Sequence, residues 1–167
     1  MRRLILMRHG EAERPTAGGE DVDRALDAEG RAESRRMGRA LAEAGFEPDL
    51  ALVSSAQRTV QTWQAAAEAF AKAVDAQFDR RLYAAGAAQI AQVVAEAAER
   101  GKAVMVVGHN PGIHEYAIHL ARQAGETEGP LFERFPTGSA VVFAIGRHGK
   151  PAFERLFLAG RLRRHAP

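Results

Sequence analysis

The chain has 167 residues, of which 46% are hydrophobic and 26% charged, a balance typical of one globular domain with a core of its own. Cysteine is absent, which excludes disulfides, thiolate metal ligands and cysteine nucleophiles. The 23 basic residues nearly balance the 21 acidic ones and only 7% of residues are aromatic, so we do not expect nucleic-acid binding.

The apolar run Leu4–Met7 is too short for a signal-peptide core or for a membrane span, which needs roughly 20 apolar residues. We therefore expect a cytoplasmic protein with no membrane partner. Arginine greatly outnumbers lysine, which occurs only as Lys72, Lys102 and Lys150. We interpret this bias as the base composition of a GC-rich bacterial genome.

Apolar runs alternate with helical periodicity along the chain. Three runs predict buried strands, at 4–7, 50–53 and 104–107. Apolar residues at helical spacing predict helices over 31–44, along the face from Val60 to Val74, over 90–97 and after Pro111. Gly45 is expected to end the first of these helices, and Gly101 the third.

The C-terminal part of the chain has a different pattern. Pro130 and Pro136 indicate a loop over 125–138, and the runs 140–145 and 153–158 predict two strands joined by a turn. We expect this pair to form an antiparallel hairpin at the edge of the sheet. The whole pattern favours a three-layer αβα sandwich, a mostly parallel sheet between helices, in a single domain over 1–167 without a lid insertion.

Chemically distinctive residues follow each of the three strongest strands. Arg8, His9 and Gly10 follow the first, Arg58 opens the helix after the second, and His109 follows the third. Ligands of such sheets bind at the carboxyl ends of the strands, so we expect these side chains to lie together.

Each of these residue types suits a phosphate site. Arginine offers a planar fork to phosphate oxygens, and the charges of Arg8 and Arg58 disfavour the protonated form of His9, which keeps that ring nucleophilic. The sequence Gly-His-Asn-Pro, with Asn110 as the expected N-cap and Pro111 as the first helical residue, predicts a helix N-terminus that binds anions. Taken singly, each residue also has a structural explanation, as a strand end, a helix cap or a solvated side chain.

Two look-alike motifs are set aside. The second Arg-His-Gly, at 147–149, lies between two late strands with no helix after it, and we expect an exposed turn. His114 and His119 resemble a zinc motif but are five residues apart, whereas that motif needs two histidines four apart on one helix face. No glycine-rich nucleotide loop is present, and we expect neither a metal nor a cofactor.

In the order of its motifs the chain resembles the histidine phosphatase superfamily, also called phosphoglycerate-mutase-like, and within it the short bacterial SixA-type phosphohistidine phosphatases. The resemblance rests on residues 6–12, 23–30, 52–62, 82–83, 107–112 and 135–139. It implies that His9 is a nucleophile that becomes phosphohistidine. It also implies that Arg8 and Arg58 bind the phosphoryl oxygens and that His109 stabilises the transferring group, without a metal.

The sequence departs from the mutase-like relatives in two ways. The stretch Glu11–Thr16 lacks their asparagine, and 80–86 contains no glutamate to act as general acid. Asp23 and Glu11 are the nearest carboxylates in sequence. Neither is assigned as the acid, and we expect Asp23 to pair with Arg24 or to cap a turn. A phosphoramidate is easier to cleave without such an acid than an alcohol ester is.

The resemblance therefore implies a phosphatase for protein phosphohistidine that releases inorganic phosphate. Two alternatives stay open. One is a phosphomonoesterase for a small phosphate ester, and the other is a non-catalytic module that binds phosphate. The identity of a general acid is not predicted.

Overall fold

Six strands form the sheet of this protein, which the computed structural model describes over residues 1–162, with only the backbone for Arg161. The predicted domain limit at Pro167 lies outside the described residues. The strands are β1 (Arg3–Arg8), β2 (Leu50–Ser54), β3 (Asp75–Asp79), β4 (Ala103–Gly108), β5 (Ala140–Ile145) and β6 (Pro151–Phe157).

The strands are ordered β3-β2-β4-β1-β5-β6 across the sheet. The first four in this order run parallel to one another, and β5 pairs antiparallel with both β1 and β6. This arrangement confirms the predicted mostly parallel sheet with an antiparallel hairpin at its edge.

Helices cover both faces of the sheet. They are α1 (Ala28–Glu43), α2 (Gln57–Ala67), α3 (Ala87–Ala97), α4 (Gly112–Gln123), and two single turns, α5 (Pro130–Glu133) and α6 (Ala159–Leu162). Side chains of a strand alternate between faces, so Ile5 and Met7 pack with α1 and α2 whereas Leu4 and Leu6 pack with α3 and α4. The three layers are those expected from the sequence. Within residues 1–162, no helix has the length and apolar character needed to cross a membrane.

Helix α1 has well-defined ends. The Asp27 side chain accepts a hydrogen bond from the Gly30 N–H at 2.7 Å and caps the N-terminus. The helix therefore begins at Ala28, three residues before the predicted start at Arg31. At the other end Gly45 has a φ of 75°, and the Phe46 N–H donates to the Leu41 carbonyl at 2.8 Å. Gly45 therefore ends the helix as predicted, because glycine adopts this left-handed conformation without strain.

The prediction was wrong between residues 68 and 79. Helix α2 ends at Ala67, and the next apolar residues of the predicted face, Phe70 and Val74, pack against the core from beyond the helix. Strand β3 follows and was not predicted, because it is an edge strand whose Asp75, Gln77 and Asp79 interrupt any apolar run. The predicted loop over 125–138 likewise contains the short helix α5, and α3 ends at Ala97, before Gly101.

Candidate active site

Three neighbouring parallel strands end at the same edge of the sheet. Arg8 of β1 lies opposite Gly108 of β4, and Val53 of β2 lies opposite Val107 of β4. The residues that follow these strands are therefore brought together, as the strand-end rule predicts.

The His9 ring is held by its own backbone neighbour. Its Nδ1 lies 2.7 Å from the Gly10 carbonyl oxygen, which can only accept, so Nδ1 carries the proton and Nε2 keeps its lone pair. The Gly10 N–H in turn donates to Thr62 Oγ1 at 3.0 Å. A Cβ at Gly10 would lie 2.5 Å from the Gly30 carbonyl oxygen, so this close approach of two backbones requires glycine.

His109 faces His9 across the strand ends. The two ring centroids are 5.2 Å apart, and the Tyr83 ring contacts His109 edge-on at 5.6 Å. His109 is 6% exposed, its Nε2 lies 2.8 Å from Ser54 Oγ, and its buried Nδ1 has no hydrogen-bond partner among the described residues.

The two predicted arginines have different hydrogen-bond partners. Arg58, in the first turn of α2, is 6% exposed and donates to the Asp21 carbonyl at 2.6 Å and to its carboxylate at 2.8 Å. Arg8 donates from Nη1 to the Phe135 carbonyl at 3.0 Å, and its buried Nε has no partner among the described residues. Both retain N–H groups that these contacts do not use, because a guanidinium has five.

Asp21 is a member of this cluster that the sequence did not indicate. Its carboxylate accepts hydrogen bonds from Arg24 at 2.8 Å, Arg58 at 2.8 Å and the Tyr83 hydroxyl at 2.9 Å. Of the two roles expected for Asp23, pairing with Arg24 was wrong, because Arg24 pairs with Asp21. Asp21 lies in an irregular polar loop, and no sequence pattern marks which of its carboxylates turns toward the site.

Hydrogen bonds from Arg24, Tyr83 and Arg58 hold the pKa of the Asp21 carboxyl far below its usual range. Asp21 therefore stays ionised at neutral pH and has no proton to donate. Glu11, the other carboxylate considered from the sequence, accepts a hydrogen bond from the Thr137 hydroxyl at 3.1 Å.

Burial and positive charge keep both histidines neutral. Burial lowers the pKa of His9 to about 4 against the opposing Gly10 hydrogen bond, and the charges of Arg58 and Arg8 lower it further. Burial lowers the pKa of His109 to about 3, and repulsion from His9 and Arg58 adds to the effect. An unprotonated His9 Nε2 is the form that can attack phosphorus.

The Gly-His-Asn-Pro junction differs from its prediction. Helix α4 begins at Gly112, with Pro111 as the residue before it, and the Asn110 side chain donates to the Phe135 carbonyl at 3.0 Å instead of capping the helix. The Phe135 carbonyl also accepts from Arg8, so this one carbonyl connects the end of β1 with the residues after β4. A Cβ at Gly112 would lie 1.8 Å from the Ala85 carbonyl oxygen, so α4 packs directly on the loop that carries Tyr83.

The two look-alike motifs lie elsewhere. Arg147, His148 and Gly149 form an exposed turn between β5 and β6, as predicted. His114 donates to the Leu131 carbonyl at 2.6 Å, and His119 contacts Gln123 at 3.0 Å. No three histidine or acidic side chains of the described residues converge as a metal site requires.

A family model for the histidine phosphatase superfamily (branch 1) matches residues 4–86, a range that includes Arg8, His9 and Arg58. The chain belongs to the histidine phosphatase superfamily. It is 44% identical over 72 residues to a 2,3-bisphosphoglycerate-dependent phosphoglycerate mutase of Thermobifida fusca. That match covers 41% of this chain and 28% of the mutase, so the chain spans less than a third of this curated relative.

Solved structures of this superfamily match nearly the whole chain. The phosphohistidine phosphatase SixA assigned in Agrobacterium tumefaciens matches with a TM-score of 0.80 at 28% identity, over 93% of this chain and 97% of that one. The SixA assigned in Nakamurella multipartitia matches with a TM-score of 0.80 at 26% identity, over 93% of this chain and 94% of that one. These matches support phosphatase activity for this chain.

Proposed function

We propose that the chain is a phosphatase that uses His9 as its nucleophile and dephosphorylates phosphohistidine carried by a partner protein. The observation that carries this proposal is the hydrogen bond from His9 Nδ1 to the Gly10 carbonyl, which leaves Nε2 unprotonated. The ring lies close to Arg8, Arg58 and His109. A half-buried, neutral imidazole beside two arginine cations is suited to accept a phosphoryl group and to stabilise it once bound.

The reaction has two steps. In the first, His9 Nε2 forms a bond to phosphorus while the bond from phosphorus to the substrate imidazole nitrogen breaks. Arg8, Arg58 and His109 stabilise the charge on the three phosphoryl oxygens during transfer. In the second, water attacks phosphorus, the His9–phosphorus bond breaks, and inorganic phosphate leaves with a proton released to solvent.

The choice of phosphohistidine as substrate rests on the leaving group. The carboxylate closest to Arg58 belongs to Asp21, and three hydrogen bonds keep it ionised, so it cannot protonate an alcohol oxygen. The ring nitrogen of phosphohistidine that is not bonded to phosphorus can take a proton from solvent, so the imidazole departs as a neutral group and does not need a protein acid. The two SixA relatives, assigned as phosphohistidine phosphatases, favour the same substrate.

Two further points belong to this proposal. The cationic groups supply the charge stabilisation that a metal provides elsewhere, so we expect full activity in the presence of a chelator. The chain acts as one domain without an inserted lid, and an open site of this kind admits a histidine that projects from another protein.

The test compares two histidines in identical tripeptides. His9→Ala is expected to abolish hydrolysis of both an aryl phosphate and a phosphohistidine protein, whereas His148→Ala retains it. Reaction of the wild-type protein with labelled phosphohistidine protein is expected to trap acid-labile phosphate on His9. Retained activity in His9→Ala overturns the proposal. Strong preference for one small phosphate ester favours a metabolite phosphatase, and binding of vanadate without hydrolysis of any substrate indicates a phosphate-binding module.

A further inference from the structure

Ser54, the last residue of β2, makes a hydrogen-bonded pair with His109. Its side chain is fully buried, and its Oγ lies 2.8 Å from Nε2 of His109. Because β2 and β4 are adjacent parallel strands, Ser54 at the end of β2 and His109 directly after β4 are brought together. The Thr59 hydroxyl donates to the Ser54 carbonyl at 2.7 Å, which fixes the backbone at this strand end.

The direction of this hydrogen bond follows from the available partners. Within the described part of the chain, Nε2 of His109 is the one hydrogen-bond partner of the Ser54 hydroxyl. If Nε2 carried the ring proton, the buried serine proton would have no acceptor and the Nδ1 lone pair would have no donor. If Nδ1 carries the proton, the serine donates to Nε2 and a single N–H group is left over. The second arrangement is favoured, because each unsatisfied buried polar group costs roughly 1–3 kcal/mol.

We propose that Ser54 is a positioning residue that donates to Nε2 of His109 and thereby holds the ring proton on Nδ1, ready for an oxygen of the transferring phosphoryl group. The part of this inference that concerns the phosphoryl group rests on the proposed function, whereas the tautomer itself does not.

The tautomer matters because His109 is neutral near pH 7, where burial keeps its pKa low. A neutral imidazole offers a proton from one nitrogen and an electron pair from the other. With Nε2 bound to Ser54, Nδ1 is the nitrogen left for the substrate, and only its protonated form attracts a negative oxygen. Without the serine, the ring could present its electron pair and repel that oxygen.

The first experiment needs neither a variant nor a substrate. Nitrogen-15 NMR of the histidine side chains of the wild-type protein is expected to find His109 protonated on Nδ1 and His9 also protonated on Nδ1. A wild-type His109 with its proton on Nε2 overturns the inference, whatever the activity of the protein.

The second experiment compares three variants. Ser54→Ala is expected to populate both tautomers of His109 and to lower kcat/KM about 10-fold, mainly through kcat, which corresponds to loss of one ordinary hydrogen bond. Ser54→Thr keeps the hydroxyl and is expected to restore the Nδ1 proton and most of the activity. Ser55→Ala is the matched control, since this neighbouring serine makes no hydrogen bond to either histidine among the described contacts.

The vanadate affinity of the same variants separates this inference from the proposed function. If the wild-type protein hydrolyses nothing, the proposed function fails. The role of Ser54 is still supported in that case if His109 has a single Nδ1 tautomer in the wild-type protein and if Ser54→Ala shows both tautomers and binds vanadate more weakly. If Ser54→Ala keeps both the wild-type tautomer and the wild-type kcat, the role of Ser54 is refuted even in an active phosphatase.

Discussion

Burial of two neutral histidines predicts a specific loss of stability in mild acid. The unfolded chain takes up a proton at each histidine below its ordinary pKa of 6.5, whereas folded His9 and His109 resist protonation down to about 4 and about 3. The unfolded state then binds more protons than the folded state, so the free energy of unfolding falls as pH falls. The loss begins near pH 6.5 and continues to about pH 4 for His9 and to about pH 3 for His109, where each folded ring becomes protonated.

The magnitude follows from the same values. One pH unit below 6.5, the proton uptake of one unfolded histidine lowers the free energy of unfolding by roughly 1–2 kcal/mol. Since neither folded ring is protonated at pH 5.5, the two histidines together lower it by about 3 kcal/mol relative to pH 7.5. This is a large share of the 5–15 kcal/mol that stabilises a typical domain.

Urea unfolding at pH 7.5 and 5.5 measures how far the free energy of unfolding falls in each protein, and these falls are then compared between proteins. The fall in the free energy of unfolding between the two pH values is expected to be roughly 1–2 kcal/mol larger in the wild-type protein than in His109→Gln. His148→Gln provides the control for removal of an exposed histidine. Other titrating groups are common to all three proteins and cancel. Equal falls in the wild-type protein and His109→Gln would refute the account of a buried neutral ring.

Three further variants test the geometry of the site. Arg58→Lys is expected to lower kcat/KM about 100-fold, because a point charge replaces the planar fork; a loss under threefold in a phosphate-ester assay contradicts this. Gly112→Ala places a Cβ 1.8 Å from the Ala85 carbonyl oxygen and should displace the Tyr83 loop, destabilising the fold by about 2 kcal/mol and raising KM. Gly38→Ala is the control: its Cβ would lie 2.1 Å from the Ala66 carbonyl oxygen, so it should destabilise the fold similarly in urea unfolding and leave KM unchanged. Equal changes of KM in both glycine variants would refute a role of the Tyr83 loop.

The sequence predicted the parts of the fold that local pattern determines. Buried parallel strands are continuous apolar runs, so β1, β2 and β4 were predicted correctly, and the candidate site was expected at their carboxyl ends. Strand β3 was missed because it lies at the sheet edge, where Asp75 and Asp79 replace the apolar residues of a central strand. Its existence depends on pairing with β2, which no local pattern records.

The supporting contacts of the site could not be predicted for a related reason. Ser54 and His109 are 55 positions apart, and Asp21 and Arg58 are 37 apart, so each pair exists only once the sheet and its loops are folded. The residue types gave no help, because a buried serine and a loop aspartate are common in structural roles. The candidate residues Arg8, His9, Arg58 and His109 could be proposed from the sequence because each lies at the end of a strand, directly after one, or in the first turn of a helix.

The two histidines of the site are oriented by single hydrogen bonds of opposite direction. His9 donates from Nδ1 to the Gly10 carbonyl, so its other nitrogen presents an electron pair. His109 receives the Ser54 proton at Nε2 in our proposal, so its other nitrogen presents a proton. Both rings have a lowered pKa and their centroids lie 5.2 Å apart, so in the proposed mechanism these two contacts distinguish the nucleophile from the proton donor. In the proposed mechanism, the direction of the hydrogen bond to a backbone carbonyl or a buried hydroxyl therefore determines which role each histidine has.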